Sequence, residues 1–448
     1  MNIILLSGGS GKRLWPLSND IRSKQFIKIF RKPGQTNSDK SSEEDFESMV
    51  QRIYRQIKSV DPNATVTIAT SKSQVSAIHN QLGFDIGISV EPCRRDTFAA
   101  IALATAYLKD CKNVSKDEAV VVCPVDPYVE EGYFQTLASM CKTAQTGNHN
   151  LVLMGIEPTY PSEKYGYIKP TLDSQGRHFY TFTEKPTAEK AKEYIAGGAL
   201  WNGGVFAYKL SYVLGKAQEL LGSSDYSTLF NNYASLKKTS FDYAVVEAES
   251  SIEVLRYSGT WKDLGTWNTL TEAMEENVIG NGRMNETCSN THIINELDIP
   301  ILAMGTKDMV ISASPEGILV SDKSQSSYIK PFVDAIDQQV MFAEKSWGSY
   351  RVIDVGEKSL TIKISLTPGH RMNYHSHEKR DEVWTVINGS GKTIVDGTIH
   401  DVTPGDVVTM PAGCKHTVIA GNEGLQLMEV QLGEAISVSD KTKYELAL

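Results

Sequence analysis

Ile3 to Leu6 are four consecutive aliphatic residues that run directly into Gly8-Gly9-Ser10-Gly11, and then into Lys12 and Arg13. An unbroken aliphatic run of this kind reads as a strand buried on both faces, which belongs in a sheet covered on both sides. Glycines at the end of such a strand let the backbone adopt φ > 0 and approach a ligand closely. Successive N–H groups in that loop form an anion-binding concavity. Arg13, with Lys24 further along, adds charge suited to phosphate. The spacing excludes two familiar cradles. A P-loop needs Ser or Thr after its lysine, whereas Lys12 is followed by Arg13; a dinucleotide fingerprint needs a third glycine where Leu14 stands.

Further strand-like runs follow at 64–70, 119–126 and 151–156, with a helix-like run at 97–108. Strands separated by helices indicate βαβ units and a mostly parallel sheet. Phosphate ligands of such sheets bind outside the carboxyl ends of the strands. The polar stretch 33–45 reads as a mobile loop. The pattern changes near residue 280. Short β-like pieces at 291–294, 308–313 and 317–321 indicate a small β-rich linker domain over 281–340. From 341 to 448 the chain is strand-rich with Gly/Pro turns at short intervals, as in a β-sandwich or barrel. The first 280 residues then form an α/β domain, and three domains are compatible with 448 residues.

Composition narrows the class. A net charge of −9 argues against a nucleic-acid-binding surface. The six cysteines are scattered without a C-x-x-C, which favours reduced thiols and a cytoplasmic setting. The N-terminal apolar run is too short for a signal peptide, and no apolar stretch reaches membrane-spanning length.

The full string GGSGKRLWPLS…KQF resembles the signature of sugar-1-phosphate nucleotidylyltransferases, and Lys24-Gln25-Phe26 points to the mannose-1-phosphate guanylyltransferase branch. YGYI (165–168), FTEKP (182–186), WNGGVFAY (201–208) and SFDYAVVE (240–247) continue the resemblance in order. It implies a Rossmann-like nucleotidyltransferase domain that takes GTP and mannose 1-phosphate. Gly8, Gly9, Gly11, Arg13, Lys24 and Arg95 would bind the nucleotide, and Gly166, Glu184 and Asn202 the sugar. Arg13, Lys24 and Lys185 would be the catalytic cations. Asp126 ends the strand VVVCPVD and Asp263 lies in WKDLGTW; the pair would hold Mg²⁺, a hard ion that prefers carboxylate oxygens. The implied reaction is attack of a sugar-phosphate oxygen on the α-phosphorus of the nucleotide, with pyrophosphate leaving. Such chemistry needs positioning and charge neutralisation rather than a covalent enzyme intermediate. The stretch EPCRRDTFA (91–99) departs from the family pattern at Arg94, Asp96 and Phe98, which leaves the base and the sugar open.

The C-terminal region carries His375-x-His377, Glu382 and His416, framed by Gly369, Gly389, Gly405 and Pro411-x-Gly413. These match both cupin motifs. A His-x-His pair on one strand presents both imidazoles on one face. Three histidines and a glutamate suit a divalent transition metal with open positions, such as Zn, Mn, Co, Ni or Fe. WGSYRVID (347–354), RDEVW (380–384), MPAGCKH (410–416) and EVQLG (429–433) resemble the mannose-6-phosphate isomerase domain fused to bacterial guanylyltransferases. This implies a cupin β-barrel that interconverts fructose 6-phosphate and mannose 6-phosphate, with Arg380 as an isomerase candidate. Glu378, Lys379 and Val383 stand where relatives carry histidine. The whole chain thus resembles the bifunctional mannose-1-phosphate guanylyltransferase/mannose-6-phosphate isomerase family, which implies a cytoplasmic homodimer. Two other readings stay open. One is activation of another sugar 1-phosphate, such as a heptose, with a cupin that is not an isomerase. The other is a sugar-nucleotide sensor without turnover, against which the intact Arg13, Lys24, Asp126 and Asp263 weigh.

Overall fold

The aliphatic run becomes strand β1 (Asn2–Ser7), in which Ile3, Ile4 and Leu5 are completely buried. Alternate side chains of a strand point to opposite faces. Ile3 and Leu5 accordingly join one apolar cluster and Ile4 another. The first cluster is covered by helices α1 (Met49–Val60) and α3 (Glu131–Thr146), the second by α2 (Asp96–Lys112) and α4 (Leu210–Leu221). The computed structural model describes residues 1–446 except Ser10, Asp20, 35–44 and 173–177. Most of the loop expected at 33–45 therefore lies outside the described residues.

The chain forms two compact units by internal contacts: Met1–Gly9 with Lys24–Glu275, and Ser10–Ser23 with Glu276–Leu448. Among the described residues the first is built on a nine-stranded sheet. Strand β1 pairs in parallel with β2 (Thr65–Ser71) and β4 (Ala119–Pro124), and β2 pairs in parallel with β3 (Gly87–Glu91). The remainder comprises β5 (Leu151–Ile156), β6 (Gly166–Leu172), β7 (His178–Thr183), β8 (Leu200–Lys209) and β9 (Ile252–Tyr257). Here β8 runs antiparallel to β4, β5 and β6, and β7 antiparallel to β6, while β9 is parallel to β5. The sheet is mixed rather than mostly parallel. Buried runs such as LVLMGI encode coverage of both faces, which strands of either direction satisfy. The carboxyl ends of the neighbouring strands β1 and β4 place Gly8 and Gly9 beside the segment leading to Asp126.

In the second unit, β10 (Val278–Gly280), β11 (His292–Asn295) and β12 (Met309–Ser314) pair in parallel, and β13 (Gly317–Asp322) closes this sheet antiparallel to β12. The same unit holds the cupin domain. Its framework is β14 (Gly348–Val355), β15 (Ser359–Leu366), β16 (His375–Ser376), β17 (Asp381–Val395), β18 (Val407–Met410) and β19 (His416–Leu432). Leu360, Ile362, Ile364 and Leu366 alternate with more exposed residues, so one face of β15 builds the domain core with Trp384 and Leu427. The long strands β17 and β19 pair antiparallel from Asp381↔Leu432 to Val395↔His416. Among the described residues no helix is long and apolar enough to cross a membrane.

Candidate functional sites

Pro127–Val129 pairs antiparallel with Trp261–Asp263, with Asp263 opposite Pro127. This short ribbon brings Asp126 and Asp263 together. Lys24 Nζ lies 2.8 Å from Asp126 Oδ2 and 3.9 Å from Asp263 Oδ1, and donates to the Leu264 carbonyl at 3.3 Å. A buried polar strut holds Lys24 in place. Gln25, 1% exposed, donates to Ser7 Oγ at 2.9 Å and to Gln74 Oε1 at 3.1 Å. Thr70 Oγ1 donates to the same Gln74 oxygen at 2.8 Å. Two carboxylates converging on one cation are an all-oxygen set that fits Mg²⁺. Asp126 and Asp263 also line a cleft with Tyr165, Trp261, Asn202 and Gly203.

Asn202 faces Gly166 across the β6–β8 pair. A Cβ on Gly166 would lie 2.5 Å from Phe182 Cζ and 2.7 Å from Glu184 Oε2, so any larger residue here forces the Phe182 ring or the Glu184 carboxylate to move. Glu184 is paired with Lys185 at 2.6 Å. The Lys185 backbone has φ of 42°, a left-handed conformation uncommon for a residue with a side chain. Asn202 Nδ2 donates to Asp242 Oδ1 at 2.6 Å, and Asn202 Oδ1 accepts from the Gly204 N–H at 3.1 Å. Asp242 opens a π-helical turn, Asp242–Val246. Burial pushes its carboxyl up to about 6; the nearby Glu184 charge adds to this, and the Asn202 hydrogen bond opposes it.

Gly8 and Gly9 lie in the first unit, Gly9 with φ of 93°. Gly11 and Arg13 belong to the second. There Ser18 Oγ donates to the Gly11 carbonyl at 2.6 Å, and Ser314 Oγ donates to the Pro16 carbonyl at 2.6 Å. Arg13 is exposed on the short turn Lys12–Leu14. Arg95 precedes α2 and donates to the Ala234 carbonyl, and it is not among the residues lining the Asp126–Asp263 cleft. Asp96 beside it has φ of 66°, a conformation that Asp and Asn adopt more readily than most residues.

In the second unit His375, His377, Glu382 and His416 are 1–3% exposed, with their ligand atoms within 4.8 Å of one another. Strand β16 ends at Ser376, so His377 stands just beyond the ladder rather than on it. Loop contacts hold it instead: its carbonyl accepts from the Gly413 N–H at 2.6 Å, and its Nδ1 bonds the Asp440 carbonyl. His375 Nδ1 bonds the Asn373 carbonyl at 2.6 Å, and His416 Nδ1 the Cys414 carbonyl at 3.0 Å. A carbonyl only accepts, so each Nδ1 carries the proton and each Nε2 has its lone pair on the side of the centre, where that of His377 accepts from Arg380 Nη2 at 3.0 Å. Glu382 Oε2 and His416 Nε2 approach to 3.2 Å but are buried without a hydrogen bond. Burial pushes His375 down to about 3 and also lowers His377. Burial opposes the Glu382 charge, yet His416, His377 and Arg380 hold its carboxylate below the ordinary range. Neutral imidazoles with an anionic carboxylate are the protonation states that a divalent metal requires. The donors fit a transition metal.

Residues 2–278 match the model of the nucleotidyl transferase family. The chain belongs to that family. Residues 335–445 of this nucleotidyl transferase match a second model, mannose-6-phosphate isomerase C-terminal. The xanthan biosynthesis protein XanB of Xanthomonas campestris pv. campestris is 27% identical, over 99% of this chain and 97% of its own length. The mannose-1-phosphate guanylyltransferase of Escherichia coli K12 is 26% identical, over 98% and 97%. A crystal structure titled mannose-1-phosphate geranyltransferase, from Thermus thermophilus, is similar at a TM-score of 0.60 and 27% identity, covering 74% of this chain and 98% of that one.

Three features of this nucleotidyl transferase escaped the sequence reading. Asp242 sits in the recognised string SFDYAVVE without a role of its own. Gln25 lies within KQF, where its residue type gives no sign that it is buried against Ser7 and Gln74. Glu429 and Gln431 lie in EVQLG and face the cupin interior. Arg380, expected either at the site or exposed at a strand end, is 8% exposed and bonded to two of the four metal-ligand candidates.

Proposed function

We propose that this chain transfers a guanylyl group from GTP to mannose 1-phosphate, giving GDP-mannose and pyrophosphate, and that its cupin domain interconverts fructose 6-phosphate and mannose 6-phosphate. The observation that carries the first activity is the convergence of Asp126 and Asp263 on Lys24, in a cleft that also contains Asn202. In this reading the two aspartates hold Mg²⁺, which supplies charge neutralisation to the phosphates. Lys24 and Arg13 serve the leaving pyrophosphate, Lys185 the sugar phosphate, and Gly8, Gly9, Gly11 and Arg95 the rest of the nucleotide. Glu184 and Asn202, with Gly166 leaving room, read the sugar hydroxyls. Asp242 orients the Asn202 amide.

The four-donor cluster at His375 supports a resident divalent transition metal, whose Lewis acidity would polarise the sugar carbonyl. Arg380 beside the cluster would hold the sugar phosphate or polarise a sugar oxygen. The names of the relatives support a role in making activated mannose for polysaccharide. We further propose a cytoplasmic homodimer whose functional segments are 1–280, 281–340 and 341–448. The deciding experiment is pyrophosphate release with GTP against a panel of sugar 1-phosphates. A clear preference for mannose 1-phosphate is expected. Preference for a heptose 1-phosphate would move the assignment to that sugar, and no release with any would favour a sensor.

A further inference from the structure

The four ligand candidates leave a chemical gap in the cupin domain. Moving a proton between adjacent carbons needs a group that takes and returns it, and a metal does not do this. Within the described part of 341–448, the buried titratable side chains are His375, His377, Arg380, Glu382, His416 and Glu429. The three histidines and Glu382 form the metal cluster, and an arginine does not deprotonate in proteins. Glu429 remains. It lies on β19 directly opposite Trp384, and the next inward residue, Gln431, lies opposite the ligand Glu382. Its two oxygens are held separately: Trp384 Nε1 donates to Oε2 at 3.0 Å and Gln431 Nε2 donates to Oε1 at 2.5 Å. Trp384 in turn packs edge-on against His416, with ring centroids 5.3 Å apart and planes at 87°. Glu429 is therefore an oriented carboxyl one strand away from the metal cluster.

We propose that Glu429 is the proton-transfer residue of the C-terminal domain, acting on the carbon next to the carbonyl of an aldose or ketose phosphate. The inference rests on the isomerase reading of that domain. The carboxylate takes the proton from C2 of the aldose. The electron pair of the broken C–H bond forms the C1–C2 double bond, and the carbonyl π pair moves onto O1. Glu429, now an acid, returns the proton to C1 while the O2 hydroxyl proton passes to O1. The product is the ketose, with no oxidant or reductant consumed. The surroundings of Glu429 suit this task. Burial, and next the charge of Glu382, raise its pKa above the ordinary carboxylate range, to about 7, while Gln431, Arg380 and Lys441 pull it back. A base poised nearer neutrality exchanges protons more effectively at physiological pH.

The test uses the full-length, metal-replete protein and follows interconversion of fructose 6-phosphate and mannose 6-phosphate across pH. Glu429→Gln should lower kcat by about 100-fold or more, the range of lost acid–base catalysis, with KM little changed. It should also erase the acidic limb of the pH–rate profile. Metal content and affinity, read by elemental analysis and chelator competition, should stay within about tenfold of wild type. Trp384→Phe keeps the carboxyl but removes a donor to its anion, so the acidic limb should move to higher pH. Near-normal turnover of Glu429→Gln with an unchanged limb overturns the proposal, as does an unmoved limb in Trp384→Phe. Loss of the metal from Glu429→Gln also overturns it, in favour of a role in metal retention. No interconversion by the metal-replete wild type would instead overturn the isomerase reading itself, and this role with it.

Discussion

Arg380 Nη2 lies 3.0 Å from His377 Nε2, while its Nε donates to Glu382 Oε1 at 3.0 Å. The guanidinium thus engages two of the four ligand candidates, and its Nη1 is anchored to the Ser437 carbonyl at 2.9 Å. A metal that uses His377 Nε2 has to displace this contact and tolerate a fixed positive charge beside it. Arg380 therefore stabilises the metal-free site and competes with the ion. Arg380→Gln should bind a divalent metal more tightly, by about tenfold, the factor expected when about 1.4 kcal/mol of opposition is removed. The metal-free variant should be less stable by about 3 kcal/mol, because the buried Glu382 carboxylate loses a charged partner. Chelator competition and thermal unfolding read the two effects, and weaker metal binding by the variant would contradict the competition.

Asp126→Asn should lower guanylyl transfer by orders of magnitude with little effect on stability. The Asp126 side chain is 35% exposed, so its pairing with Lys24 is partly screened and is expected to stabilise the fold by no more than about 1 kcal/mol. Pyrophosphate release at saturating Mg²⁺ is the measurement. Near-normal turnover would remove Asp126 from the metal site.

Gly166→Ala and Glu184→Ala should have similar effects. The added methyl at 166 meets the Glu184 carboxylate and Phe182 at distances that force one or both side chains to move. Each change should cost about 2 kcal/mol in kcat/KM for the sugar phosphate, the scale of a lost hydrogen bond to a charged group. The value for GTP should change much less. Equal losses for both substrates would separate these residues from sugar recognition.

Asp242 should make the stability of the first unit depend on pH. Its carboxyl is raised, to about 6, so the folded state favours the protonated form. The contribution is fully present below the ordinary carboxyl value near 4 and is lost as pH rises through about 6. Asp242→Asn should abolish this dependence. Relative to the variant, the wild type should lose about 1–3 kcal/mol between pH 4 and 7, as linkage predicts for a shift of this size. Denaturant unfolding of the first unit at several pH values tests it, and parallel curves for the two proteins would refute it.

Removing metals and restoring only Mg²⁺ should spare guanylyl transfer and abolish sugar-phosphate interconversion. The front set is carboxylate oxygen from Asp126 and Asp263, which suits a hard ion. The cupin set is mainly imidazole, which suits a transition metal. Parallel assays of both activities on one chelated sample decide the point, and recovery of both with Mg²⁺ alone would refute the distinction.

The local parts of this protein were legible in the sequence. Strand β1, its glycine turn and the buried helix α2 follow from short aliphatic runs and their glycines, because burial on both faces and φ > 0 are demands on neighbouring residues. The cupin donors were legible for a similar reason: His375 and His377 are two apart, and Glu382 and His416 stand at the start of recognisable strands. Only the tertiary structure decided which distant residues meet. A strand pattern states which face is buried, but neither direction nor partner, so the antiparallel placement of β8 and the ribbon joining Asp126 to Asp263 were not encoded locally. The same holds for Asp242 bonded to Asn202, Gln25 bonded to Ser7 and Glu429 opposite Trp384. Each is an ordinary polar residue in its own stretch of chain. Its role arises when packing buries it beside a group from elsewhere, since burial makes an unpaired polar atom costly and a paired one rigid.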